Sequence, residues 1–306
     1  MEKSITVEGL VERFSLEVLA AEDQLHQKIV KSQARRPGLE LIDYFDFLPK
    51  QHIQVLSEDE IYYLHTLTEE ERALRVGNVV KYEPPCIIVT DEQQGLKYLT
   101  KYCNQENIPL LRTSASNYEF TGKLNAYMIN RLAPEIAIHG VCINVFGIGI
   151  LLRGKSGIGK SETAHTLIGR GHRLVADDIV VIKKLSPQTI LATHNGMNKE
   201  FIALRSIGLL NVVRQYGRKA FQDETRVSLD IELIEWEPDS INNDLEIESK
   251  YNEYLGVSVP HIQIQLQAGR DVAGLIEAAA NNWYLKKQGY SAADEFMERL
   301  EEKSKD

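Results

Sequence analysis

Short apolar runs alternate with polar or helical segments in the first part of the chain. Apolar residues at helical spacing predict a first helix over 6–16. Three short apolar runs follow, at 53–56, 86–90 and 109–111, and each predicts a strand. Because polar or helical segments separate these strands, we expect a three-layer α/β domain, which we assign to residues 1–131.

The second predicted domain, residues 132–306, also combines strands with helices. An apolar, glycine-rich run at 143–152 predicts strands, and helical patterns follow at 162–168 and 272–287. A polar, acidic stretch at 237–253 predicts exposed loop and helix. The remaining predicted elements are an apolar strand over 173–178, a strand over 227–236 and a final helix from Ser291.

A phosphate-binding loop motif lies between the predicted strands and the helix of this domain. Such a loop surrounds phosphates with backbone N–H groups, adds the charge of a lysine, and offers a serine hydroxyl to Mg²⁺. The alternative is a glycine-rich turn that matches by chance, but the flanking strand and helix favour nucleotide binding. The motif consists of Gly154, Lys155, Ser156, Gly157, Ile158, Gly159, Lys160 and Ser161.

Two adjacent carboxylates, Asp177 and Asp178, end the strand that follows this loop and helix. A pair of this kind can be a simple turn or helix cap. Beside a phosphate loop, however, a carboxylate at a strand end typically faces the metal and the triphosphate. Because neighbouring residues of a strand point to opposite sides, we expect the two aspartates to have different partners.

Composition limits the classes of function. The 306 residues carry a net charge of −9, which argues against nucleic-acid binding because that requires a basic face. We expect no membrane span, since no run approaches 18 consecutive apolar residues, and no signal peptide at the N-terminus. The three cysteines, Cys86, Cys103 and Cys142, lack metal-like spacing and predict reduced thiols in the cytoplasm.

Taken together, several runs of the sequence resemble the HPr kinase/phosphorylase family. The resemblance extends over almost the whole chain, and the segment around Asp177 and Asp178 is more specific than a phosphate loop alone. The matching runs are 10–14, 36–40, 139–140, 147–149, 154–163, 171–178, 268–270 and 276–279.

This resemblance implies an ATP-dependent and Mg²⁺-dependent protein serine kinase. The family's substrate is HPr, the phosphocarrier protein of the bacterial sugar phosphotransferase system, and the same site also removes the phosphate by phosphorolysis. The resemblance further implies a cytoplasmic homohexamer. The second domain, residues 132–306, is expected to be a kinase domain that resembles the nucleotide-binding part of phosphoenolpyruvate carboxykinase.

The resemblance also assigns roles to individual residues. Lys160 is expected to bind the β- and γ-phosphates, and Ser161 to bind Mg²⁺ with Asp177 near the metal. Asp178 matches the residue that accepts the proton of the substrate serine, which needs such a base because a hydroxyl is a poor nucleophile. His139 matches a site histidine near the phosphate; without the resemblance, a structural turn residue is the default interpretation.

The chain departs from the family pattern at four functional positions. A glutamate that helps to hold Mg²⁺ is replaced by Ala203, and the catalytic arginine corresponds to Asp244. One of two arginines linked to dephosphorylation is replaced by Gln267, and an aspartate of the loop is replaced by Lys155. These changes predict that phosphorolysis is weakened or lost.

Three interpretations follow. The first is a serine kinase of the HPr kinase type that favours the forward reaction, supported by Lys160, Ser161, Asp177 and Asp178. The second is a catalytically impaired regulator that binds ATP, supported by the changes at Ala203 and Asp244. The third is a kinase that acts on a different substrate, including a small molecule.

Overall fold

The structure is a computed structural model, which describes residues 3–42, 50–91, 93–236, 250–267 and 269–303. The chain divides into two compact units, an N-terminal unit of residues 1–133 and a C-terminal unit of residues 134–306. The mixed α/β composition of both units agrees with the predicted fold class. The boundary predicted between residues 131 and 132 stays a prediction.

The N-terminal unit is built on a sheet of four short strands. The strand order is β2-β6-β5-β4. Strands β4, β5 and β6 are parallel to one another, and β2 pairs antiparallel with β6. The strands are β1 (Ile5–Thr6), β2 (Glu17–Ala20), β3 (Lys28–Ile29), β4 (Gln54–Leu56), β5 (Ile87–Val89) and β6 (Leu110–Arg112); the helices are α1 (Val7–Phe14), α2 (Glu58–Thr66), α3 (Glu69–Val80), α4 (Lys97–Gln105) and α5 (Asn117–Leu132).

Alternating side chains of this sheet pack against helices on both faces. Ile87 and Val89 belong to the cluster formed with α2, α3 and α4, whereas Ile88 belongs to the cluster formed with α1 and α5. Successive residues of a strand point to opposite faces, so a fully apolar strand must be covered on both sides. The predicted three-layer arrangement of this domain is therefore confirmed.

Side-chain caps determine where several of these helices begin. Ser57 and Glu60 form a capping box at the start of α2, and Thr68 and Glu71 form another at the start of α3. In each box the glutamate carboxylate accepts a hydrogen bond from the backbone N–H of the capping residue, and in the second box the Thr68 hydroxyl also accepts one from the backbone N–H of Glu71. The predicted first helix is confirmed over Val7–Phe14, where Thr6 is the N-cap.

The C-terminal unit contains a nine-stranded mixed sheet, with the main order β10-β8-β9-β15-β12-β11-β7 and with β17 and β16 added beside β15. The strands of this unit are β7 (Glu135–His139), β8 (Val141–Val145), β9 (Ile148–Gly154), β10 (Arg173–Ala176), β11 (Ile179–Ser186), β12 (Thr189–His194), β13 (Phe201–Leu204), β14 (Gly208–Asn211), β15 (Glu224–Glu235), β16 (Lys250–Tyr254) and β17 (Val257–Leu266); its helices are α6 (Lys160–Gly169), α7 (Val212–Tyr216), α8 (Val272–Lys287) and α9 (Ala292–Lys303). Strands β13 and β14 form a separate antiparallel hairpin outside the nine-stranded sheet.

The long strand β15 lies at the centre of this sheet. It is parallel to β9 on one side and, through its C-terminal half, to β17 on the other. Helices α6 and α8 cover one face of the sheet with the largest apolar cluster of the unit, which includes Ala164, Leu167 and Ile276. The parallel pairing of β9 and β15 brings Gly154 beside Leu233, so both strands end at the same edge.

Asp230, in the middle of β15, is fully buried and accepts hydrogen bonds from several strands. Arg153 donates to both of its carboxylate oxygens at 2.7 Å, and Asn252 and Tyr254 donate to Oδ2 at 2.5 and 3.0 Å. The ring of His261 lies 3.2 Å from the same oxygen. A buried carboxylate requires such partners, and this one connects β9, β15, β16 and β17.

The structure corrects the sequence-based prediction for the acidic stretch 237–253. Residues 250–253, expected to be exposed loop and helix, belong to strand β16, because they pair antiparallel with β17. The rest of that acidic stretch, residues 237–249, lies outside the described residues. The helix predicted over 272–287 is confirmed at both ends, and Asp271 caps its start. Within the described part of the chain, none of the helices has the length and apolar character needed to cross a membrane.

We predict that Asp230→Asn lowers the free energy of unfolding of the C-terminal unit by about 3 kcal/mol, because it removes the fully buried charge that partners the partly buried Arg153. Denaturant unfolding followed by tryptophan fluorescence reports on this unit, since both tryptophans, Trp236 and Trp283, belong to it. Glu298→Gln on the exposed face of α9 is the control, with an expected change within about 0.5 kcal/mol. Equal effects of the two substitutions would contradict the role of Asp230.

Candidate active site

The phosphate loop connects the end of β9 to the start of α6, as the motif predicts. Its backbone needs glycine at three points: Gly154, Gly157 and Gly159 have φ angles of 139°, 78° and 104°. These values lie in the region that side chains disfavour. At Gly154 a Cβ atom would also come within 2.5 Å of the Leu233 carbonyl oxygen. The glycines therefore allow a conformation that leaves the N–H groups at the start of α6 open to an anion.

The ammonium group of Lys160 lies across this loop. Its Nζ donates to the carbonyl oxygens of Gly154 and Lys155, both at 2.9 Å. Lys160 is the first residue of α6, so its charge and the positive end of the helix dipole act at the same place. The arrangement concentrates positive potential where the motif requires a triphosphate.

Asp177 is the buried carboxylate of the site, with only 3% of its surface exposed. Its Oδ1 accepts a hydrogen bond from Ser161 Oγ at 2.8 Å, and its Oδ2 accepts one from the backbone N–H of Ala203 at 2.9 Å. Burial raises the pKa of Asp177 above its ordinary value, while the bonds from Ala203 and Ser161 oppose that shift. The residue thereby joins α6, the end of β10 and β13.

Asp178 differs from its neighbour because its side chain is exposed. Its Oδ1 lies 3.7 Å from Nδ1 of His139, which is also exposed, and its carbonyl accepts a hydrogen bond from Gly140 N at 3.1 Å. The two aspartates have different partners, as expected. The expected reason, that both lie on one strand and point to opposite sides, is wrong. Strand β10 ends at Ala176, and Asp178 turns outward because its backbone is left-handed, with φ of 68°.

Two residues without a predicted role also lie at this site. Asn198 Nδ2 donates to the carbonyl oxygen of Asp177 at 2.5 Å, and its Oδ1 is buried without a partner among the described residues. The guanidinium of Arg205 lies against Gly157, where any Cβ atom would overlap it. Its backbone N–H donates to Glu162 Oε1 at 3.3 Å.

A sequence signal existed for only one of these two residues. Arg205 lies two residues after Ala203, where the family pattern has a metal-binding glutamate. Asn198 belongs to no motif, and only folding brings it beside Asp177.

The other predicted positions lie around the loop or outside the described residues. Lys155 is exposed and forms an ion pair of 3.5 Å with Glu235 at the end of β15. Ser156 is exposed, whereas Ile158 packs against the apolar cluster beneath the loop. Gln267 and Arg270 are exposed. Asp244 and Ala268 lie outside the described residues.

Ala203 occupies the position where the family pattern has a metal-binding glutamate. It is exposed, between the buried Ile202 and Leu204 of β13. The alternation of the strand thus turns the Ala203 side chain away from the core. The backbone N–H of Ala203 still binds Asp177, because that contact does not depend on the side chain. In the described part of the chain, no group of three or more His, Cys, Asp and Glu side chains could hold a metal ion by itself.

Comparison with known proteins gives matches over both units. The family model described as "HPr Serine kinase N terminus" matches residues 5–128, and the one described as "HPr Serine kinase C-terminal domain" matches residues 130–300. A protein of Oceanobacillus iheyensis named "Putative HPr kinase/phosphorylase 2" is 66% identical over 98% of both chains. The HPr kinase/phosphorylase of Bacillus cytotoxicus is 34% identical over 97% of this chain and 96% of its own.

A solved structure is also similar. The HPr(Ser) kinase/phosphatase from Coxiella burnetii matches with a TM-score of 0.48 and 29% identity, covering 53% of this chain and 98% of the solved chain.

We predict that Ser161→Ala raises the pKa of Asp177 further, because it removes a hydrogen bond that stabilises the carboxylate. Since burial already raises this pKa above 3.8, the folded state binds the proton more tightly than the unfolded state does. Stability therefore falls as the pH rises from that value through the raised pKa, and the substitution widens this interval. Carboxyl NMR titration measures the shift. Thr166→Ala on α6 is the control, since the Thr166 hydroxyl donates to the backbone carbonyl of Glu162 and not to Asp177. An equal pKa shift in both variants would contradict the role of the Ser161 hydrogen bond.

Proposed function

Because the chain belongs to the HPr serine kinase family, we propose that it transfers the γ-phosphoryl group of ATP to a serine of HPr or of an HPr-like protein. The observation that supports this most directly is that Ser161, at the end of the phosphate loop beside Lys160, donates a hydrogen bond to the buried Asp177. Asp178, the next residue, lies exposed beside His139. As the resemblance implies, the protein is proposed to act in the cytoplasm as a homohexamer.

ATP binding is the task of the loop and its lysine. The N–H groups at the start of α6 and the Lys160 ammonium contact the β- and γ-phosphates, replacing the carbonyl contacts of Lys160 seen in the structure. Lys155, within the loop, and Arg205, whose guanidinium lies against Gly157, add positive charge. Charge stabilisation of this kind supplies most of the catalysis of phosphoryl transfer, since the protein does little covalent chemistry.

The residues around Ser161 fit Mg²⁺. This ion prefers hard oxygen ligands and usually shares its shell between one or two carboxylates, water and substrate phosphates. Ser161 Oγ and the Asp177 carboxylate are in contact, and no cationic side chain of the described residues pairs with the buried Asp177. Ser161 and Asp177 would hold the ion, which would neutralise charge on the phosphates.

Asp178 is the proposed base. It is exposed, so a serine of a second protein can approach it, and it lies on the same turn as the buried Asp177. The hydroxyl oxygen of the substrate serine attacks the γ-phosphorus, and Asp178 accepts the proton that this hydroxyl loses. The bond to the β-phosphate oxygen then breaks and ADP leaves. His139, 3.7 Å from Asp178, orients this carboxylate near the transferred phosphate.

A regulator that binds ATP but transfers little phosphate remains the second candidate. It is favoured by Ala203, an exposed residue that lacks the carboxylate of the family pattern and whose backbone N–H contacts Asp177. Asp244 adds to this argument from the sequence alone. A different substrate would also be compatible with an intact ATP loop. Mixing the protein with ATP, Mg²⁺ and HPr and measuring the intact mass of HPr distinguishes phosphoryl transfer from both.

We predict that Lys160→Ala weakens ATP binding by about 1.5–3 kcal/mol, the usual contribution of a hydrogen bond to a charged group. Isothermal titration calorimetry with the folded variant measures it. Lys219→Ala, an exposed lysine on a different segment, should leave the affinity unchanged. If ATP binds Lys160→Ala as tightly as the unmodified protein, the loop is not the nucleotide site.

We predict that Asp178→Asn abolishes transfer to serine, because the amide keeps the shape but cannot accept the proton. ATP affinity should stay nearly unchanged, since Asp178 does not contact the loop lysine. Single-turnover transfer of labelled phosphate measures the first quantity, and calorimetry the second. Asp23→Asn, exposed in the N-terminal unit, serves as the matched control. Transfer at the unmodified rate would remove Asp178 from the mechanism.

We predict that the kinase reaction is much faster than phosphorolysis. Phosphorolysis holds inorganic phosphate beside phosphoserine, and two anions in one site require surrounding cations. The family arginines correspond to Asp244 and Gln267 here. Asp244→Arg with Gln267→Arg should increase pyrophosphate release from phosphoserine-HPr, and Ala203→Glu should increase it further. Rapid release by the unmodified protein would show that other residues supply the charge.

A further inference from the structure

A cavity outside the proposed active site lies between α8 and the edge of the sheet formed by β16 and β17. Its volume is about 210 Å³. Its apolar floor is formed by Leu229, Ile262 and Ala279, which belong to the cluster under α8 or pack against it. The phosphate loop is elsewhere: β15 passes the cavity at Leu229, whereas Gly154 pairs with Leu233, four residues further along that strand.

Three lysines surround this floor. Lys250 comes from β16, and Lys286 and Lys287 come from the last turn of α8. Among the described residues, no aspartate or glutamate lines the cavity or forms an ion pair with these lysines. The chain has a net charge of −9, whereas the three ammonium groups make the surroundings of this cavity positive. Such a site attracts anions.

Two aromatic side chains complete the walls. Trp283 is partly buried against the core, and Tyr251 is 58% exposed. The Nζ atom of Lys287 lies 5.6 Å from the centre of the Trp283 ring, so charge and aromatic surface are adjacent. Asn282 adds an amide that can donate to an oxygen.

A simpler explanation accounts for only part of this arrangement. Lysines in the last turn of a helix interact favourably with its dipole, which explains Lys286 and Lys287. It does not explain Lys250, which comes from a separate strand, or the aromatic walls above an apolar floor. Sites with a few polar groups above a mostly apolar lining are typical of small-molecule binding.

We propose that this cavity binds a small organic anion that combines a single aromatic ring with a phosphate or carboxylate group. The lysines and Asn282 bind the anionic group, while the ring packs on the apolar floor between Trp283 and Tyr251. A volume of about 210 Å³ suits one ring, since drug-sized ligands typically occupy roughly 300–1,000 Å³. The proposal does not depend on the proposed kinase activity.

Phenyl phosphate is the probe, titrated into the full-length protein by calorimetry. We expect saturable binding at one site. Inorganic phosphate, which supplies only the charge, and phenol, which supplies only the ring, should each bind at least tenfold more weakly. In a Trp236→Phe background, Trp283 is the remaining tryptophan, and its fluorescence should change with the same binding curve. Absence of saturable binding, or equal binding of inorganic phosphate, would overturn the proposal.

Substitutions locate the binding site. Lys250→Gln combined with Lys286→Gln should weaken phenyl phosphate binding at least tenfold, and Lys219→Gln, an exposed lysine outside the cavity, should not. Lys160→Ala separates this site from the phosphate loop and should leave the affinity unchanged. If Lys160→Ala removes binding, or the double variant binds normally, the cavity is not the site. Circular dichroism confirms that each variant is folded, and Trp283→Leu tests the ring contact independently of charge.

Discussion

The buried carboxylate of Asp177 is the constraint on which the candidate active site depends. A carboxylate inside a protein must be supplied with hydrogen bonds, and Asp177 receives them from Ser161 and from the backbone of Ala203. Because these donors belong to α6 and β13, the requirement fixes the start of the phosphate-loop helix against a separate hairpin. The position of Ser161, and hence of the loop, follows from satisfying one buried charge.

Burial also separates the roles of two chemically identical neighbours. Asp177 is enclosed, and its pKa is raised by the loss of water. Asp178 is turned outward by its left-handed backbone, a conformation supported by the hydrogen bond from Gly140 to its carbonyl and by those from Asn198 and Ile179 to the carbonyl of Asp177. One carboxylate is suited to a metal beside the loop, and the other is open to a protein substrate.

The change at Ala203 illustrates how a family site can diverge while its framework persists. The side chain has lost the carboxylate of the family pattern, but the backbone N–H still holds Asp177 at 2.9 Å. A main-chain contact survives any substitution that preserves the strand. The contact with Asp177 is therefore kept, and Arg205, two residues later, lies against Gly157 of the phosphate loop.

The sequence alone determined the three-layer N-terminal domain, the loop and the following helix, because apolar periodicity and glycine spacing are local properties. It also identified Lys160, Ser161, Asp177 and Asp178 as candidate site residues. Only the tertiary structure decided that β10 ends at Ala176, that residues 250–253 pair as a strand, and that Asn198 reaches Asp177. These outcomes depend on hydrogen bonds between segments that are distant along the chain. Periodicity and motif spacing within one segment cannot predict which distant segment it will pair with.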